Sequence, residues 1–203
     1  PARVAVLGGG VVGMNAARMA MGLNAEVVVL ERSIPRMREL DDIFKGRVLT
    51  RYSTLDAVED EILKADVVIG AVLTAGAAAP KLVRREHLPR MKPGSVLVDV
   101  SIDQGGCFET SHPTTHAEPT YVVDGVVHYC VANMPGAAPR TSSEALGNAT
   151  LPFGLALADH GLDALARDRH LAKGLNVLKG ELTHPAVAEA LGKPFVDPYG
   201  AWG

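Results

Sequence analysis

Aromatic residues make up only 4% of the 203-residue chain, with a single Trp, so any core has to be built from Val, Leu, Ala and Ile. Cysteine is equally sparse. Cys107 and Cys130 have neither CxxC spacing nor a paired His cluster, which argues against a disulfide framework or a zinc site and fits a reducing cytoplasm. An excess of positive charge is also missing. The formal net charge is -3 and the basic residues are scattered, so there is no electrostatic reason to expect nucleic acid or an anionic membrane as partner. No apolar run reaches the ~18 residues of a membrane span. An initiator Met is absent, and Pro1-Ala2-Arg3 leads directly into a strand. No signal peptide is therefore expected, and the chain reads as a piece of a longer polypeptide. What is present is ordinary for a globular protein: 47% hydrophobic and 21% charged residues, in a length that suits one full domain and a smaller appendage.

The first two-thirds of the sequence alternate β-branched runs with amphipathic stretches, the pattern of βαβ units on a parallel sheet. Strands are predicted over 4–7, 26–31, 47–52, 66–72 and 95–100, and helices over 11–23, 35–44 and 55–64. An Ala- and Gly-rich loop and a short helix near 84–91 lie between the fourth and fifth strands. A polar loop over 101–119 is too long for a plain connector. Runs at 121–123 and 126–129 flank Asp124-Gly125, a common hairpin turn pair. Beyond Pro139 the character changes. One long helix is predicted over 142–160, kinked at Pro152, then loosely helical sequence over 171–191 and an irregular end over 194–203.

Residues 4–13 read V-A-V-L-G-G-G-V-V-G, a strand running straight into G-x-G-x-x-G and then a helix. This context gives the motif its weight. Gly8 permits the tight turn, Gly10 lets the backbone approach a pyrophosphate, and Gly13 allows close helix–sheet packing. Glu31 ends the second strand about twenty residues on, where a carboxylate would accept bonds from ribose hydroxyls and repel a 2′-phosphate. That favours NAD over NADP, although Arg32 and Arg36 could neutralise such a phosphate. The alternative is a structural glycine turn beside a solvated Glu31.

Ligands of open α/β sheets lie across the carboxyl ends of the strands. The glycine turn, residues 71–73, 100–103 and 131–134 should therefore line one crevice. Asp103, followed by Gln104-Gly105-Gly106, is the titratable group best placed for proton transfer. The competing reading is that it caps its own loop by bonding to nearby backbone amides. His112, His116 and His128 read as surface or packing residues, and Cys107 as structural.

Several blocks resemble alanine dehydrogenase within the alanine dehydrogenase / nicotinamide nucleotide transhydrogenase family. They are the glycine turn, R-Y-S at 51–53, V-I-G-A-V-L up to Leu73, A-P-K-L-V at 79–83, M-K-P-G-S-V-L-V-D at 91–99, I-D-Q-G-G at 102–106 and Y-C-V-A-N-M-P at 129–135. The resemblance implies a Rossmann-type doubly wound parallel sheet binding NAD over 1–139. Residues 140–203 would then be the helical part of a discontinuous substrate domain whose first half is absent, leaving apolar surface to be exposed or covered by another chain. It implies oxidative deamination of L-alanine to pyruvate and ammonia with NAD reduced, by a cytoplasmic homo-oligomer that is typically a hexamer. Family cofactor contacts fall on Gly8, Gly10, Val11, Val12 and Gly13, on Glu31 (ribose), on Arg36 and Ser53 (adenine side), and on Val72 and Leu73. They continue through Val100, Ser101, Ile102 and Asp103 to Val131, Ala132, Asn133 and Met134, with no metal. Asp103 falls at the catalytic aspartate. One departure is His112, where many members have Arg. The chain alone is expected to bind NAD(H) without turning over alanine. The rival readings are a transhydrogenase α-type domain and a non-catalytic nucleotide-sensing module.

Overall fold

Neighbouring residues on the two central strands face opposite sides of a sheet, and each side finds a different helix. On β1 (Arg3–Leu7) and β2 (Glu26–Glu31), Ala5, Leu7, Val28 and Leu30 join one apolar cluster. Val4, Val6, Val27 and Val29 join the other. All eight are buried, which is why these strands are apolar throughout rather than alternating. The computed structural model describes residues 1–73 and 79–198, in two compact units that divide between Met134 and Pro135.

In the first unit, α1 (Val11–Gly22) and α2 (Ile34–Phe44) cover one face through Ala17, Leu40 and Phe44. The other face is covered by α3 (Leu55–Ile62) through Ala57, Val58 and Ile62, and by a 3₁₀ turn (Arg85–Arg90) through Leu88. The remaining strands are β3 (Leu49–Tyr52), β4 (Val67–Gly70), β5 (Val96–Asp99), β6 (Thr120–Val123) and β7 (Val126–Tyr129). Their order is β3-β2-β1-β4-β5-β7-β6. Every pairing is parallel except β6 with β7. Helices on both faces of a mostly parallel sheet, with the order reversing between β1 and β4, make the Rossmann-type architecture. Asp124 and Gly125 both take positive φ (49° and 80°), as a two-residue hairpin turn requires.

Two differences from the sequence expectation matter. Strand β4 ends at Gly70 and β5 at Asp99, two and one residues earlier than expected. Residues 71–73 and 100 therefore leave the sheet and become available to line a cleft. In the second unit, α4 (Pro139–His160) runs unbroken through Pro152, followed by α5 (Asp163–Arg167) and α6 (Arg169–Ala172). The stretch expected to be loosely helical then forms an antiparallel pair, β8 (Val177–Leu178) and β9 (Glu181–Leu182), before α7 (Pro185–Leu191). Lys179 and Gly180 carry positive φ (51° and 86°), so this hairpin turn overrides the local apolar spacing. Helix α4 has no buried residue, and Leu146, Leu151 and Leu155 on it are more than half exposed. The Ala- and Gly-rich loop after β4 falls largely on 74–78, and the irregular end partly on 199–203, outside the described residues.

Candidate functional site

The carboxyl ends of β1, β2, β4 and β5 open onto one trough made of two adjoining clefts. The larger, about 500 Å³, is lined by Gly8, Gly10, Glu31, Arg32, Ser53, Val72 and Leu73 with Pro80 and Leu82. The smaller, about 250 Å³, shares Ala71, Val72 and Leu73 and continues to Val12, Val100, Ser101, Asp103 and Gln104. Both lie where the strand order reverses, the place an α/β sheet offers a ligand.

The glycine turn is shaped by close approach. Gly8 has φ +101°, and a Cβ on it would stand 2.7 Å from the Ala71 carbonyl oxygen. A Cβ on Gly13 would overlap the Gly8 carbonyl oxygen, whereas one on Gly10 would meet no described residue within 4 Å. The helix start is thus pressed against the strand end while the space in front of Gly10 stays clear. Glu31 braces this turn from the next strand. Its Oε2 accepts from Gly9 N–H (2.8 Å), and its Oε1 accepts from Arg32 N–H (2.7 Å) and Ser33 N–H (2.9 Å). A carboxylate has about four lone-pair sites, so capacity remains toward the cleft. Arg36 braces the turn from the other side. Its Nε donates to Gly9 O (2.6 Å), Nη2 reaches Gly10 O (3.5 Å), and Nη1 pairs with Glu39 (2.6 Å). The guanidinium is engaged with the turn itself rather than held out over the cleft. Ser53 N–H donates to Glu31 O (3.0 Å), which sets it at the cleft wall.

At the other end of the trough a single carboxylate organises the loop. Asp99 is fully buried. Its oxygens accept from Ser101 N–H (3.1 Å), Cys107 N–H (2.9 Å), Phe108 N–H (3.3 Å), Ser111 Oγ–H (2.5 Å) and Cys107 Sγ–H (3.6 Å). Lys81 holds the same loop by its carbonyls, donating to Gly105 O (2.5 Å), Gly106 O (2.8 Å) and Phe108 O (3.3 Å). Ser101 Oγ donates to Val72 O (2.7 Å), tying the loop to the end of β4. Asp103 emerges from this framework exposed, on the cleft wall, and its carboxylate makes no hydrogen bond or ion pair among the described residues. Burial and the neighbouring Asp99 push the Cys107 thiol far up. It is protonated and inert, and both cysteines are free and buried.

The trough thus brings together Gly8, Gly10, Val12, Glu31, Ser53, Val72, Leu73, Val100, Ser101 and Asp103. Gly13 and Arg36 support it from behind, and Val11 stands 73% exposed at the start of α1. Ile102 is buried and lines neither cleft. Val131, Ala132, Asn133 and Met134 follow β7 and line neither cleft, with Asn133 at φ 57° and its carbonyl bonded to His116 Nε2 (3.0 Å). His112 stacks on Tyr121 with ring centroids 3.7 Å apart, and His128 is fully buried. Asp99, Lys81 and Ser111 escape the sequence reading. The only signal was the Asp that ends an otherwise apolar buried strand, a residue type rarely buried unless paired.

The residues present fit a dinucleotide. The clear space before Gly10 at a helix start suits a pyrophosphate, Glu31 keeps acceptor capacity toward the cleft, and the exposed apolar Val12 and Leu73 (48% and 78%) offer surface to flat rings. Residues 1–185 match the family described as alanine dehydrogenase/PNT, C-terminal domain.

The chain belongs to that family.

Among curated relatives, the alanine dehydrogenase of Halomonas elongata is 68% identical over 198 residues, covering 97% of this chain and 53% of the relative. A solved L-alanine dehydrogenase superposes with a TM-score of 0.85 at 50% identity, over 95% of this chain and 53% of that one. A transhydrogenase from Sinorhizobium meliloti is farther off, with a TM-score of 0.63 at 29% identity over 70% of this chain and 41% of that one. The chain therefore spans about half the length of the alanine dehydrogenases it matches. Among the described residues, no helix is long and apolar enough to cross a membrane.

Proposed function

We propose that this chain is the NAD(H)-binding portion of an L-alanine dehydrogenase, the enzyme that converts L-alanine, NAD and water to pyruvate, ammonia and NADH. The observation that carries this reading is the shared trough. The Glu31-braced glycine turn stands at one end, and Asp103, exposed and without a described partner, stands at the other. Bound there, the nicotinamide dinucleotide supplies the hydride acceptor. Gly8 and Gly10 take the pyrophosphate while Gly13 seats the helix behind them, the spare capacity of the Glu31 carboxylate takes the ribose hydroxyls, and Ser53 flanks the adenine side with Arg36 bracing the turn behind it. Glu31 favours NAD by repelling a 2′-phosphate, and of the two nearby arginines Arg36 is already bonded to Gly9, Gly10 and Glu39, whereas Arg32 lines the cleft. Val72, Leu73, Val100, Ser101 and Asp103 flank the nicotinamide, while Ile102 packs beneath them and residues 131–134 stand outside the two clefts. Asp103 takes or gives the proton as the amine is oxidised and the imine hydrated, from a carboxylate oxygen beside the reacting carbon.

Residues 1–139 form the cofactor domain, and 140–203 form the returning part of a substrate domain completed by chain outside this sequence. This accords with the exposed apolar residues of α4. The working enzyme is a cytoplasmic homo-oligomer, with no nucleic acid or membrane as partner. Fluorescence titration with NADH and NADPH tests the site: the chain should bind NADH at least about tenfold more tightly, the discrimination of one repelled charge. Alanine turnover is expected from the full-length enzyme and not from these 203 residues alone. Failure to bind NADH, or direct hydride transfer from NADH to NADP by the full-length protein, would overturn the reading.

A further inference from the structure

Asp99 is a charged group with no access to water, and its surroundings match a carboxylate and no other side chain. Three N–H groups, one hydroxyl and the Cys107 thiol converge on two oxygens. An ionised carboxylate is acceptor-only with about four sites, whereas an amide would turn two donors onto those donors. The three amides belong to residues two, eight and nine positions further on, so one side chain closes the whole loop. The closure is tight. Gly106 has φ +74°, and a Cβ there would stand 2.6 Å from Asp99 Oδ2 and 2.8 Å from Ser111 Cβ. Behind it, Ser111 connects to Cys130 Sγ (3.8 Å), and Tyr121 Oη, 3.4 Å from the same sulfur, donates to Thr110 O (3.0 Å). The loop that carries Asp103 and Ser101 to the trough is therefore gathered by its amides on one buried carboxylate, with Lys81 holding its carbonyls from outside.

We infer that Asp99 is the positioning residue of the proton-transfer group. It touches neither cofactor nor substrate, and it acts by fixing the backbone from which Asp103 projects. This rests on the proposed role of Asp103. Misplacement by about 1 Å can cost roughly 100-fold in rate, so the effect should fall on the chemical step rather than on cofactor binding.

The test is a double-mutant cycle in the full-length enzyme, with three readouts: kcat, NADH affinity by fluorescence, and hydrogen exchange of the loop amides without cofactor. Asp99→Asn should lower kcat about 100-fold and change NADH affinity by less than about threefold. The amides of Ser101, Cys107 and Phe108 should exchange at least about tenfold faster. Combined with Asp103→Asn, it should cost nothing beyond Asp103→Asn alone, because the group it positions is already gone. Losses that multiply in the double variant, or loop exchange unchanged in Asp99→Asn, would overturn the inference. If Asp99→Asn does not fold, Ser111→Ala, which removes one of the five bonds, decides by the same cycle. It should lower kcat about fivefold in the parent and not at all beside Asp103→Asn, and a multiplied loss again overturns the inference. A parent enzyme that binds no NADH refutes the cofactor reading first, and this one with it.

Discussion

At the end of β2 the Glu31 carboxylate gathers the amides of Gly9, Arg32 and Ser33, and at the end of β5 the Asp99 carboxylate gathers those of Ser101, Cys107 and Phe108. Both hold a backbone turn at the mouth of the trough by the same chemistry, a charge-assisted acceptor for otherwise unpaired N–H groups. They differ in what is left over. Glu31 is partly exposed, lines the cleft and keeps lone pairs for a ligand, so one side chain both shapes the turn and faces the cleft. Asp99 is buried and saturated, so it only shapes. Its loop then presents a separate carboxylate, Asp103, to the cleft. Dividing the two roles leaves the outward-facing group without a partner among the described residues, which suits the acid/base role proposed for it.

The strongest way to break the comparison is to collapse one turn sterically and leave both carboxylates in place. Gly13→Ala puts a Cβ into the Gly8 carbonyl oxygen. Since the closest atoms it meets are backbone, nothing flexible can yield, and a loss of about 3 kcal/mol is expected, read as a lower urea midpoint. NADH binding should be lost with it, because α1 can no longer seat against β1.

The next largest effect should separate the two jobs of Glu31. Glu31→Ala leaves three backbone amides without their acceptor and should cost about 2 kcal/mol of stability. NADH binding should weaken about tenfold. Glu31→Gln keeps one acceptor oxygen and should lose less stability while still losing preference for NADH over NADPH. Equal preference in the parent and in Glu31→Gln, measured by paired titrations, would show that the carboxylate only braces the turn.

The two ends of the trough were not equally legible. The glycine turn and Glu31 follow from spacing along the chain, since a strand, G-x-G-x-x-G, a helix and an acidic residue at the next strand end are all local signals. The sheet and its layers were legible for the same reason, as the runs at Val4 to Leu7 and Val27 to Leu30 are apolar on both faces. Asp99 was not legible, because its partners lie up to twelve residues away in a loop of no regular pattern, and only folding shows that three amides converge on it. Ile102 was assigned to the cleft with its neighbours, yet it turns inward, because within the 3₁₀ turn of Ile102–Gln104 adjacent side chains point in different directions. The hairpin of β8 and β9 was hidden because its turn, Lys179-Gly180, interrupts apolar spacing that also suits a helix.

A smaller effect should appear with pH. Burial pushes the His128 imidazole below its ordinary 6.5, outweighing its bond to Val126 O. The folded state thus holds it neutral where the unfolded chain takes a proton, so stability is full above about pH 6.5 and declines as pH falls below it, by at most about 1.4 kcal/mol per unit. His128→Gln should lower stability at neutral pH by removing the bonded ring, and its unfolding midpoint should vary less than the parent's between pH 6.5 and 5.5. Parallel pH curves for the two proteins would show that His128 titrates as it does in the unfolded chain.

The smallest change asks whether a neutral oxygen can serve where the two strand ends use charge. Thr54, next to Ser53 at the cleft wall, is the N-cap of α3, and its Oγ1 accepts from Ala57 N–H at 3.1 Å. It gathers one amide instead of three, in an exposed position where water competes for the same N–H. Thr54→Ala should therefore cost about 1 kcal/mol, seen as a modest drop in urea midpoint, and NADH affinity should not change. Helix α3 packs by Ala57, Val58 and Ile62 on the sheet face away from the glycine-turn helix, so fraying its first turn leaves both carboxylate-braced turns intact. A tenfold loss of NADH affinity in Thr54→Ala would show instead that the α3 start and Ser53 are set by the same contacts as the trough, and that the cleft wall depends on the cap as well as on Glu31.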